Sequence, residues 1–232
     1  MKKLSATMFK KISLSEVREK TRRPNAETNN RIHWFSSKFS VYFSYFFINI
    51  GLSADRVTNL FLLAGVVGAI YVKYPVISYL LWRLHIILDM SDGDIARFNQ
   101  TYSIRGKYWD ALNHSIINPA YCFFIGLNFY NKYDDVLYLY LSASMMFAQS
   151  FILNSKYFIE ADHSEIRFRL SSNMILTRVK NIIVDMAGME GLLLILVLSA
   201  DYHSKFTSFL IMISYVVTFF SLGLYKIFKR SY

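Results

Sequence analysis

The sequence predicts an all-α integral membrane protein, with six transmembrane helices preceded by an amphipathic interfacial helix. Three observations lead there. Of 232 residues, 54% are hydrophobic and 17% aromatic, and the apolar ones arrive in long blocks, as bilayer-embedded chains require. Charged residues gather between those blocks. One stretch departs from this layout: Leu88 to His114, LDMSDGDIARFNQTYSIRGKYWDALNH, holds seven charged residues between two apolar runs. Ionisable groups at such a place are costly and mark a functional site.

Residues 1–30 carry eight Lys or Arg residues and read as a basic cytoplasmic arm. Ser13 with Glu16 offers a capping box for a short helix that Pro24 ends. From Arg31 to Ile50 the pattern changes: His33, Ser36, Ser37, Ser40 and Ser44 fall on one narrow stripe, with aromatics over most of the rest. A continuous polar stripe beside a basic flank predicts an amphipathic helix lying in the headgroup region; an ordinary core helix is the alternative.

Residues 51–232 form the membrane domain. After a break at Gly51 to Arg56, Val57 to Val72 and Pro75 to Leu88 make an apolar hairpin around a Lys73–Tyr74 turn. The second arm is short for a span, but its helix can continue through Asp92 and Arg97. The third span runs from near Gly106 to Tyr130, the fourth from about Val136 to Phe158, the fifth from Val179 to Ala200 and the sixth from Phe206 to Ile227. These four are long enough for a core of ~30 Å.

The net charge of +10 raises nucleic acid as a partner, but the basic residues cluster beside apolar spans and suit anionic lipid headgroups better. Nucleic acid is therefore excluded. The turns at Lys73, Lys132 to Asp135 and Asp201 to Lys205 hold three basic residues, whereas the N-terminal arm, the 156–181 connection and the Lys226 to Arg230 tail hold many more. Both termini and the charged stretch should face the cytoplasm. The single cysteine, Cys122, allows neither a disulfide framework nor a thiolate metal site. The first thirty residues have no signal-peptide pattern.

Within the charged stretch, helical spacing assembles a site, because residues three and four apart share a face. Asp89, Asp92, Gly93, Ala96 and Arg97 line one side. Asp94 falls off that line and reads as a solvated or capping charge. Two carboxylates one turn apart give hard oxygen ligands for Mg²⁺, Gly93 and Ala96 leave room for a bulky ligand, and Arg97 supplies a fork for phosphate. After eight mostly polar residues and Gly106, Asp110 and His114 share a face of the next helix.

Asp89, Asp92, Gly93, Ala96, Arg97, Gly106 and Asp110 resemble, position by position, the signature of the CDP-alcohol phosphotransferases. Seven specified residues at fixed offsets match by chance on the order of 10⁻⁹ per start position. The eighth position, an Asp in that family, is His114. The resemblance implies an enzyme that moves a substituted phosphate from a CDP-linked donor to the hydroxyl of an acceptor alcohol and releases CMP, in synthesis of phospholipids or related glycolipids and glycans. It implies one or two Mg²⁺ or Mn²⁺ ions on Asp89, Asp92, Asp110 and His114, and a nucleotide contacted by Gly93, Ala96, Arg97 and Gly106. It also implies catalytic roles for Asp110 and His114, the latter as base for the acceptor hydroxyl. A homodimer in a bacterial inner (plasma) membrane follows from the same likeness.

Two other classes compete: a cation-binding membrane carrier, which needs no nucleotide pocket, and a non-catalytic scaffold of the same family. Eight further residues have two readings each. Arg83 and His85 can reach the site or pair with buried carboxylates. Asp185 and Glu190 interrupt the fifth span, and either orient the second substrate or pair with Arg83 or another cation. Arg167, Arg169, Arg178 and Lys180 either bind an acceptor phosphate or serve only as a positive-inside loop.

Overall fold

The computed structural model describes residues 12–21, 34–101, 104–162, 189–198 and 204–228. The described residues are helical, with no strand among them. They form α1 (Leu14–Thr21), α2 (Trp34–Asn49), α3 (Ala54–Ile70), a 3₁₀ turn (Tyr71–Lys73), α4 (Pro75–Phe98), α5 (Ile104–Tyr133), α6 (Leu137–Asp162), α7 (Met189–Leu198) and α8 (Lys205–Phe228). Outside them lie His33, the 22–30 end of the basic arm with Pro24, Asp185, and Arg167, Arg169, Arg178 and Lys180. The basic side chains of the 226–230 tail also lie outside.

Turn chemistry sets the boundaries. Gly51 adopts φ +72°, the left-handed conformation that glycine enters freely, and the Leu52 amide reaches back to Phe47 O at 2.9 Å to close α2. The predicted α3–α4 hairpin forms: Tyr74 N donates to Tyr71 O at 2.8 Å, and Pro75 opens α4, where its missing N–H costs nothing. Gln100 at φ +54° and the Thr101 amide on Ala96 O, 2.9 Å, end α4 inside the motif. Between α5 and α6, Asp135 Oδ1 accepts from the Leu137 amide at 3.0 Å. Lys205 Nζ, 2.7 Å from Asp135 Oδ2, ties this loop to the start of α8 and holds the Asp135 carboxyl below the ordinary carboxylate range.

α4 is the centre of the bundle. α1, α2, α3 and α7 pack against it, α5 packs on α3 and on α6, and α8 packs on α6. Two glycines let α5 come close. A Cβ at Gly65 would meet Ile117 Cδ1 at 2.7 Å, and one at Gly68 would meet the Tyr121 hydroxyl. From α4, Ser78 donates to the same Gly68 at its O, 2.8 Å. Farther along, Gln149 Nε2 donates to the buried Tyr215 hydroxyl and pins α6 to α8.

Many large apolar side chains face outward, among them Leu60, Leu63, Leu80, Phe147, Phe206 and Val217. Among the described residues, two helical stretches are long and apolar enough to cross a bilayer, Ala54–Lys73 and Lys205–Tyr225, which is compatible with membrane association. α2 turns its polar stripe inward. Ser36, Ser40 and Ser44 are buried, while Phe39, Tyr42 and Phe46 are exposed. A surface amphipathic helix on a water-soluble core does the reverse. The serines point in because α4 presents polar partners at that level: Ser91 donates to Ser40 O at 3.2 Å and Ser40 donates to Asp94 Oδ2 at 3.1 Å.

Candidate metal centre

Two helices and one turn bring the charged side chains together. Asp89 is four residues beyond His85 on α4, and His114 is one turn beyond Asp110 on α5. Because α3 packs against both helices, these faces meet. His114 Nε2 lies 3.4 Å from Asp110 Oδ1 and 3.7 Å from Asp89 Oδ1. Ligand atoms of Asp89, Asp110 and His114 all fall within 4.8 Å of one another. Two carboxylate oxygens and an imidazole nitrogen form a donor set that a divalent cation can use.

Asp92, also predicted as a ligand, lies outside this group of three. Its Oδ2 accepts from Thr58 Oγ1 of α3 at 2.7 Å, a partner that no sequence signal announced. Thr58 also donates to Ala54 O at 3.0 Å, so its hydroxyl is shared between the helix and the carboxylate.

Asp94 is a correction. It is 5% exposed, not solvated, and it forms an ion pair with Arg97. Ser40 Oγ donates to its Oδ2 at 3.1 Å. Arg97 also donates through Nε to Thr21 O of α1 at 3.2 Å, and its guanidinium lies over Gly93, where a Cβ would sit 3.4 Å from Nη1. The off-line position of Asp94 on the helix is real, but the neighbouring face is covered by α2 rather than open to water. Gly93, Ala96 and Gly106 are half-buried near the α4–α5 turn.

The two readings of Arg83 and Glu190 resolve in part, since these two form an ion pair between α4 and α7. His85 is fully buried. Its Nδ1 lies 2.9 Å from Phe61 O, and its ring stands 5.9 Å from that of His114, near perpendicular.

No protein-family model matches the chain, nor does any curated protein match it. The family resemblance therefore stands on the motif residues.

Proposed function

We propose that this chain is an integral membrane CDP-alcohol phosphotransferase. The observation that supports it most is the meeting of Asp89, Asp110 and His114 within 4.8 Å. These are three signature positions separated by up to 25 residues, and a fourth, Asp92, lies one turn from the first. A hairpin with fortuitous spacing has no reason to converge its acids.

In this reading Asp89, Asp110 and His114 would hold a divalent ion, for which the family resemblance implies Mg²⁺ or Mn²⁺, with Asp92 available to a second. Such an ion, when bound, neutralises the diphosphate and polarises the attacked phosphorus. Gly93 and Ala96 give the nucleotide close access to the α4 backbone. Arg97, held over Gly93 by Asp94 and Thr21, offers its guanidinium to the diphosphate. His114 would use the lone pair of its imidazole either to take the proton of the acceptor hydroxyl or as a nitrogen ligand.

The proposal carries six membrane crossings: α3 with its 3₁₀ turn, α4, α5, α6, a fifth that includes α7, and α8. α2 lies at the headgroups with its aromatic face toward lipid, and the site and both termini face the cytoplasm of a bacterial inner membrane. Lipids surround it and a homodimer is the assembly proposed. Purified protein given CDP-linked donors and candidate acceptor alcohols should release CMP only with a divalent ion, and the acceptor that accelerates release identifies the product class.

A further inference from the structure

His85 lies beside the donor set, in ring contact with His114. A carbonyl oxygen only accepts, so the 2.9 Å contact with Phe61 O places the hydrogen on Nδ1 and leaves a lone pair on Nε2. That Nε2 is buried and has no hydrogen-bond partner, an arrangement native structures rarely leave unexplained. Gly65 makes the contact possible, since a Cβ there would sit 3.1 Å from His85 Nδ1.

The ring sits one helical turn before Asp89 on the same face. It packs edge-on to Phe61 at 5.2 Å, and His114 stacks on the same phenyl at 6.4 Å. Metal-ligating imidazoles characteristically give their other nitrogen to a backbone carbonyl, which fixes the tautomer and aims the lone pair. His85 has the carbonyl contact at Nδ1 and the unpartnered Nε2 that such a ligand has. It lies outside the group formed by Asp89, Asp110 and His114, one ring contact from His114.

We infer that His85 supplies a second imidazole to the cation at Asp89, Asp110 and His114. The site then takes a transition-metal ion of the Zn²⁺ type in preference to Mg²⁺. Two nitrogens and two carboxylate oxygens suit Zn²⁺, whereas Mg²⁺ favours six oxygens, several of them water. The inference rests on reading these side chains as a metal centre and not on the transfer reaction.

The test uses the full chain in detergent, tag removed and metal stripped, without nucleotide. Loaded with one equivalent of Cu²⁺, the wild-type protein should show in pulsed EPR the remote-nitrogen modulation of two imidazoles. Modulation from one imidazole overturns the inference. In competition, Zn²⁺ should bind more tightly than Mg²⁺; equal or tighter Mg²⁺ binding also overturns it. His85→Gln should reduce the signal to one imidazole and weaken Zn²⁺ binding by about 10- to 100-fold, with Mg²⁺ binding unchanged. Wild-type Zn²⁺ affinity in folded His85→Gln contradicts the assignment. A one-imidazole result leaves the phosphotransfer reading intact, and absence of CMP release leaves the donor set intact.

Discussion

His114 Nε2 faces Asp89 Oδ1 across the α4–α5 junction at 3.7 Å, so the one residue that departs from the four-acid signature points at its first acid. As proton acceptor or as ligand, the imidazole acts only when neutral. Protonation removes the lone pair that both roles need, so metal-dependent activity should fall as pH drops. His114→Asp should keep turnover and move that acid limb lower. His114→Ala should lose on the order of 10²-fold. A pH profile of CMP release checks this; an unchanged limb and near-normal turnover in His114→Ala remove the residue from the chemistry.

Asp94 is buried and paired, and its removal leaves the Arg97 guanidinium without its anion. Asp94→Asn should therefore cost about 3 kcal/mol of stability and raise the Michaelis constant for the CDP donor more than that for the acceptor. Thermal unfolding in detergent together with steady-state kinetics reads both. A variant as stable and as active as wild type contradicts the role of this carboxylate.

Much of the fold was legible because apolar blocks and punctuation agree: Gly51, the Lys73–Tyr74 turn and Pro75 each mark a boundary that the structure keeps. The meeting of Asp89, Asp110 and His114 was legible in part, because the i,i+4 spacing of Asp110 and His114 is one-dimensional information, whereas Asp92, predicted with them, falls outside the group. What crosses between helices was not. Thr58 lies 34 residues from Asp92, and Ser40 lies 54 from Asp94, and nothing local to either announces the pairing. The serine stripe of α2 was visible in the sequence, yet its direction depends on whether lipid or water covers the opposite face. Arg83 and Glu190 are 107 positions apart; the sequence offered their pairing as one of two readings, and only the bundle brings them together.

Close helix contacts at glycine give a packing prediction. Gly68→Ala drives a methyl into the Tyr121 hydroxyl, and Gly126→Ala would place one 2.8 Å from Tyr138 O; each should cost about 1–3 kcal/mol. Gly93→Ala meets only the Arg97 guanidinium, at 3.4 Å, and should spare stability while weakening donor binding. Equal melting temperatures for all three and the wild type contradict the packing described.

The distribution of basic residues predicts the orientation. In a chain with Cys122 replaced, single cysteines at residue 20 and in the 160–175 connection should be labelled only from the cytoplasmic side, and those at residues 74 and 133 only from outside. Labelling of residue 20 from outside reverses the arrangement.

The most direct measurement is CMP release by purified, metal-loaded protein from a panel of CDP-linked donors, with inositol phosphate, serine, glycerol phosphate and polyol or glycan acceptors added in turn. At least one pair should give CMP in proportion to transferred product, metal chelation should stop it, and Asp89→Asn or Asp110→Asn should abolish it in folded protein. Release of no CMP from any pair, or full turnover in Asp89→Asn, contradicts the assignment of this site to CDP-alcohol phosphotransfer.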